Sequence, residues 1–383
     1  MAWKIPLSDI DFDRQEIEAA IKVLKSKWLT MGGVTQEFEA AFAEYVGARH
    51  AFAVSSGTAA LHIAHRALGI GEGDEVICPS LTFVATANSI LYTGATPVFA
   101  DITSLDDFNI SPNDIGRKIS PRTKAITIVH YGGYPCDMGE IMRIAREHNL
   151  CVIEDAAHAP GAEYKGKKCG TIGDIGCFSF FSNKNMTTGE GGMIVTNNDE
   201  LAEKIKLLRS HGMTSLTLDR HKGHAYSYDV VDLGYNYRID EVRSAIGLVQ
   251  LKKLNHNNER RKFVVDSYRE KLKGVARLSI PFGASTGKPS CHIFPILLNK
   301  GERKTFMQRF KKQGIQTSIH YPPIHLFRYY RDRFGYEEGM LPFTEQVGER
   351  EVTLPLYPMI REEHVKYITD ELKESLINKL RIA

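Results

Sequence analysis

Apolar residues first recur at helical spacing over residues 14–25, where Ile17, Ile21 and Leu24 share a face. Gly32-Gly33 breaks that pattern. Phe38, Phe42, Tyr45 and Val46 then mark a second helix that ends at Gly47. Beyond it the pattern alternates. Short apolar runs at 51–54, 75–78, 97–101, 125–129, 151–154, 177–181 and 193–196 read as strands, and the segments 57–68, 85–92, 138–148 and 199–210 read as helices. Elements of these lengths in this order predict an α/β architecture, a mostly parallel sheet with helices on both faces. Near Asp240 the pattern changes. Ala245, Leu248, Leu251 and Leu254 open a long amphipathic stretch towards Leu272; strands at 293–298 and 316–320 and helices at 304–313 and 362–380 follow. We therefore expect a large α/β domain over 1–250 and a smaller α+β domain over 251–383, with a long helix across the boundary.

Composition adds boundaries. A chain of 383 residues with 43% hydrophobic and 25% charged positions can bury a sizeable core. A formal charge of +3 is not the footprint of a nucleic-acid binder, and the basic pieces at 165–168 and 260–262 read as solvated surface. The six cysteines are widely and irregularly spaced without C-x-x-C, which fits neither a disulfide framework nor a metal site. Cys151, Cys177 and Cys291 fall in runs that read as strands, so a reducing, cytoplasmic setting is expected. Early acidic residues without an apolar stretch argue against a signal peptide, and no apolar run is long enough to span a membrane.

Three segments carry candidate chemistry. Asp155 ends an apolar run and is followed by Ala156, Ala157 and His158. A carboxylate at the carboxyl end of a parallel strand can reach a ligand; the alternative is a helix cap. Lys184 follows a β run and precedes Gly189, Gly191 and Gly192, which permit close backbone approach. Such a lysine is ordinarily just exposed. To form a Schiff base it must lose its proton, which burial and uncharged neighbours favour. Val54-Ser55-Ser56-Gly57-Thr58 reads as strand, turn and helix start, either an ordinary capped helix or a phosphate site. Gly69, Gly71 and Gly73 follow a helix and precede a strand, the wrong order for a dinucleotide fingerprint.

Together these segments resemble the DegT/DnrJ/EryC1/StrS sugar aminotransferases, pyridoxal 5′-phosphate (PLP) enzymes of the aspartate-aminotransferase fold, fold type I. The resemblance runs from about Ile5 to the end through SSGTAALH, GDEVICPSLTFVATANSI, GATPVFADI, VHYGGYPCDM, VIEDAAHAPGAEY, FSFFSNKNMTTGEGGMIVTN, LGYNYRIDEVRSAIGLVQL, GIQTSIHYPPIH and LPLYP. It implies that Lys184 carries PLP as a Schiff base and serves as the base, and that Asp155 pairs with the pyridine nitrogen. It places His158 near the ring hydroxyl and stacks Phe83 on the ring, a core position being the alternative for Phe83. It gives the phosphate to Gly57, Thr58 and Ser179, with Asn236 reaching the phosphate of a neighbouring subunit, hence a homodimer. His320 and Tyr321 are expected at the site mouth, as substrate or supporting contacts or as a structural turn. Arg238 is expected on the carboxylate of the amino donor or on a nucleotide diphosphate. Relatives with His in place of the lysine act as dehydratases, and Lys184 favours transamination. The Thr-Thr-Gly-Glu-Gly-Gly loop and Val129–Gly133 resemble members that aminate carbon 4 of a nucleotide-linked keto-deoxysugar, with L-glutamate as donor. A carbon-3 sugar, a cyclitol ketone, an aminobenzoate precursor and a non-catalytic regulatory or binding role are the alternatives.

Overall fold

The computed structural model describes residues 3–214, 227–285 and 287–377. In chain order its first half runs α1 (Arg14–Ser26), α2 (Gly33–Val46), β1 (His50–Val54), α3 (Gly57–Ala67), β2 (Glu75–Pro79), α4 (Ala85–Leu91), β3 (Thr96–Ala100), α5 (Pro112–Lys118), β4 (Thr123–Val129), α6 (Met138–His148), β5 (Cys151–Asp155), the hairpin β6 (Glu163–Tyr164) and β7 (Lys167–Lys168), β8 (Ile175–Ser179), β9 (Gly192–Thr196) and α7 (Asp199–Arg209). Seven strands form one sheet in the order β1-β9-β8-β5-β4-β2-β3. β9 is antiparallel to β1 and β8, and the other pairs are parallel.

Alternation along the strands builds two core layers. Ile175 and Cys177 of β8 and Ile194 of β9 pack with Ala60, Ile63 and Ala64 of α3. Phe178, Met193 and Val195 face the other way, onto Phe38 and Phe42 of α2. The Phe42 and Phe178 rings meet edge to face at 5.0 Å. Val152 and Ile153 of β5 are fully buried, each burial contributing about 1.5–3 kcal/mol. The registers Val129↔Asp155 and Asp155↔Cys177 align the carboxyl ends of β4, β5 and β8 along one edge of the sheet.

The second half comprises α8 (Glu241–Leu272), β10 (Leu278–Ser279), β11 (Phe294–Leu298), α9 (Arg303–Lys312), α10 (Arg328–Phe334), α11 (Pro342–Arg350), β12 (Glu351–Leu354) and α12 (Glu362–Ile377). β10, β11 and β12 form an antiparallel sheet. Position 250 lies inside α8. Leu251 and Leu254 join the core around α2, whereas Val264, Val265, Tyr268 and Leu272 join the core of the smaller sheet. Ile5 also enters that second core and bridges Ile315, so the start of the chain lies against its last third.

Several expectations are corrected. Residues 316–320 form no strand; Ser318 makes a single bridge to Thr353, and β12 is the third strand. The run expected at 177–181 is strand only over Ile175–Ser179, because the chain turns to present Lys184. The apolar face of α1 does not enter a core. Ile17, Ile21 and Leu24 are exposed, while Glu16 is buried against Gln250 and Lys253 of α8. All six cysteines are free, and Cys291 sits ahead of β11 rather than within it. The helix expected to reach 380 is observed to Ile377, and its last positions lie outside the described residues. Among the described residues, no helix is long and apolar enough to cross a membrane.

Candidate active site

A cavity of about 420 Å³ opens at the carboxyl edge of the large sheet. Gly57, Thr58, Phe83, Asp155, His158, Ser179, Lys184, His320 and Tyr321 all line it. Residues that are far apart in sequence meet there because β1, β5 and β8 end at that edge, and because the segment after Ile315, bridged to the smaller sheet through Ser318 and Thr353, reaches the cavity.

Asp155 is buried at the end of β5. Its Oδ2 accepts the Thr86 hydroxyl at 2.8 Å and its Oδ1 accepts the Ala157 N–H at 3.1 Å. Burial pushes the carboxyl above its usual range, and the two donors with the Lys184 charge pull it back. Lys184 sits on the turn after β8, its N–H donated to the Phe181 carbonyl at 2.9 Å. Burial pushes its amine down from 10.5 to about 8, against the opposing pull of the Asp155 carboxylate.

The helix start of α3 supplies a third corner. Ser56 caps it, its hydroxyl accepting the Ala59 N–H at 3.1 Å. The first-turn N–H groups of Gly57 and Thr58 have no carbonyl of their own helix to meet. Gly57 is required by packing: a Cβ there would stand 2.8 Å from the Ser179 Cβ. That approach joins the helix start to the end of β8 and sets the Ser179 hydroxyl beside it.

His158 is buried, and burial and then the Lys184 charge hold it neutral. Its Nδ1 accepts the Gly132 N–H at 3.3 Å, so the ring proton sits on Nε2, 3.1 Å from the Tyr321 hydroxyl. The ring also packs on His292, with centroids 4.3 Å apart. Phe83 is 57% exposed at the cavity wall, which removes its reading as a core residue. His320 anchors its Nδ1 on the Thr353 hydroxyl at 2.8 Å.

Asn236 and Arg238 do not line this cavity. They lie on an extended segment that bridges Ser210 and Val54, with Asn236 exposed. Sequence reasoning also missed contributors. Thr86 stands three residues after Phe83 at the start of α4, a helical spacing that could have flagged it. Gly132 lies within a quoted landmark, and its φ of 61° lets its N–H reach His158. Asn183 and Glu190 line the cavity, and Glu351 and Thr353 stand behind His320.

Fold and site together define a PLP-dependent transferase of fold type I. The chain belongs to the DegT/DnrJ/EryC1/StrS aminotransferase family, whose model matches residues 11–373, and it is a PLP-dependent sugar aminotransferase. It is 40% identical to the spore coat polysaccharide biosynthesis protein SpsC of Bacillus subtilis, over 98% of this chain and 96% of that one. It superposes on PseC of Helicobacter pylori, an aminotransferase involved in the biosynthesis of pseudoaminic acid, with TM-score 0.91 at 33% identity, covering 97% and 98% of the two chains. The PLP form of the putative sugar aminotransferase Spr1654 of Streptococcus pneumoniae gives TM-score 0.90 at 30% identity, covering 97% and 98%; a pyridoxamine phosphate form of that protein has also been solved.

The cavity fits PLP. It offers a buried acid, a half-buried amine that desolvation pushes towards neutrality, and a helix start with two N–H groups open to a phosphate.

Proposed function

We propose that the chain aminates carbon 4 of a nucleotide-linked keto-deoxysugar, takes the amino group from L-glutamate, and works as a cytoplasmic homodimer with shared sites. The observation that carries the reading is the convergence of Lys184, Asp155 and the α3 helix start on one cavity. When bound, PLP supplies the electron sink that lets a carbon next to nitrogen lose its proton.

The residues divide the work. Lys184 holds the cofactor and moves the proton to and from the reacting carbon; an amine near pKa 8 can do both at neutral pH. Asp155, braced by Thr86 and Ala157, presents a carboxylate to a protonated ring nitrogen. His158 offers its Nε2–H to the ring hydroxyl. Gly57, Thr58 and Ser179 hold the phosphate, and Phe83 covers one ring face. Asn236 serves the neighbouring subunit's phosphate, and Arg238 serves the donor carboxylate or the nucleotide diphosphate. The exposed apolar residues Val230, Val231 and Leu233 ahead of Asn236 support a subunit contact there. The carbon-4 choice rests on the Thr187–Gly192 loop; the saccharide pathways named for SpsC and PseC support a sugar carrier.

The test is a substrate panel. Holoenzyme with L-glutamate is incubated with nucleotide-linked 4-keto and 3-keto deoxysugars and with a cyclitol ketone. The reading expects an amine at carbon 4 of a nucleotide sugar, located by two-dimensional NMR of the product. Turnover confined to the cyclitol or to the 3-keto sugar refutes it.

A further inference from the structure

Behind the cavity wall a carboxyl group is buried in the smaller sheet with a hydrogen-bonded path to the site. Glu351 begins β12 and is fully buried. Its Oε2 accepts the backbone N–H of His320 at 2.8 Å. Its Oε1 lies 2.5 Å from the Thr353 hydroxyl, which in turn lies 2.8 Å from His320 Nδ1. Among the described residues, His320 Nε2 makes no hydrogen bond, and the ring lines the cavity. We propose that Glu351, Thr353 and His320 form a proton relay that opens to the cavity at His320 Nε2 and ends on the Glu351 carboxyl.

The hydrogen-bond directions allow two states. With Glu351 ionised, the Thr353 hydroxyl must donate to Oε1, so His320 Nδ1 must bring its own proton, and Nε2 faces the cavity as an acceptor. With Glu351 protonated, Oε2 is already committed to accepting a backbone N–H, so the acid proton sits on Oε1 and donates to Thr353. Thr353 then donates to Nδ1, and the ring proton sits on Nε2. A proton arriving at Nε2 converts the first state into the second: Nδ1–H passes to Thr353 Oγ, and the hydroxyl proton passes to Glu351. The ring is neutral in both states.

The electrostatics suit such a path. Burial and the Lys184 charge push His320 down to about 4, so the ring does not retain a second proton near neutrality. Burial pushes Glu351 up to about 8, while Thr353, the His320 N–H and the Arg303 guanidinium pull it back. Tyr131 and Tyr321 also face the carboxyl; burial first, then the Glu351 charge for Tyr131 and the Asp155 and Glu351 charges for Tyr321, keeps both hydroxyls protonated. Leu297 of β11, paired with Glu351, adds no charge. The store therefore loads and unloads around pH 8, and the conduit stays uncharged there.

Its purpose rests on the function proposed above. When an amine replaces a keto oxygen, the C–N bond forms, the C–O bond breaks, and the oxygen leaves as water with two protons taken from the amine. A relay that accepts a proton at Nε2 and returns it there mediates that exchange and ends as it began. His320 is the group that meets the cavity; Thr353 and Glu351 are positioning residues behind it.

The relay is tested without cofactor or sugar. Protein with ¹⁵N-labelled histidine rings is titrated from about pH 6 to 10 by NMR, with His320→Asn used for assignment. The expected result is a change from Nε2–H to Nδ1–H with a midpoint near the Glu351 value of about 8. Glu351→Gln, whose amide N–H donates to Thr353 as the acid does, should hold the Nε2–H form throughout. Thr353→Ser should keep the change and Thr353→Val should abolish it. A wild-type ring whose tautomer ignores pH, or one that changes alike in wild type and Thr353→Val, overturns the relay even if the Glu351 variant fails to fold. With a relay in place, Glu351→Gln should also flatten the alkaline limb of kcat for the keto-sugar half-reaction. An unchanged limb beside a working NMR switch would refute the purpose and leave the path.

Discussion

Asp155→Asn should drive two properties of the site in opposite directions. In the wild type, burial brings the Lys184 amine from 10.5 to about 8, and the Asp155 carboxylate resists that fall. At pH 7.5 an amine of pKa 8 is about one quarter neutral, against roughly one part in a thousand at the ordinary value, so burial enriches the nucleophile by about 200-fold. Replacing Asp155 removes the charge that favours the ammonium form. The amine value must then fall below that of the wild type, and the neutral fraction at pH 7 must rise. Cofactor-free Asp155→Asn should therefore capture PLP faster than the wild type at pH 7, with its pH–rate midpoint moved to the acid side. Turnover should fall, because a neutral amide cannot hold the ring nitrogen protonated; the loss of one such electrostatic partner costs on the order of 10²–10³-fold. Stopped-flow absorbance of PLP capture across pH gives the first quantity, and kcat of the glutamate half-reaction gives the second. Slower capture at pH 7 in the variant, or a wild-type midpoint near 10.5, would refute the reasoning.

Three further outcomes follow from the site. Gly57→Ala places a methyl 2.8 Å from the Ser179 Cβ, so the helix start must move and PLP affinity should drop at least tenfold by fluorescence titration; unchanged affinity would remove α3 as the phosphate site. Thr86→Val strips Asp155 of its 2.8 Å hydroxyl donor, leaving a buried carboxylate short of a partner at a cost of about 1–3 kcal/mol; kcat should fall about 5- to 150-fold while the urea m-value holds, and an unaltered kcat would show that Asp155 needs no such brace. Mixing inactive Asn236→Ala with inactive Lys184→Ala should restore part of the activity through hybrid sites, whereas no rescue after verified subunit exchange contradicts a shared site.

Much of this was legible in the residues, for identifiable reasons. Strands such as Cys151–Asp155 read clearly because buried parallel strands are continuous apolar runs with polar residues at the functional end. The Lys184 turn and the Gly57 helix start carried local signals, and the family resemblance joined them. Periodicity failed where it was asked what covers a face. Ile17, Ile21 and Leu24 mark an apolar side of α1, yet the helix docks through Glu16 onto Lys253, which spacing alone does not reveal. β12 was missed because it has four residues and opens on a buried glutamate. The Thr86 bond to Asp155 and the Glu351 contact with His320 span 69 and 31 positions, so only the folded chain brings those partners together.

The central claim is that Lys184 carries the cofactor. Its most direct test is borohydride reduction of the PLP-loaded protein followed by peptide mass spectrometry. The account predicts one pyridoxyl-phosphate adduct per chain, on Lys184, abolished by prior incubation with L-glutamate and absent from Lys184→Ala. A stoichiometric adduct on any other lysine, or its persistence after glutamate, would contradict the account.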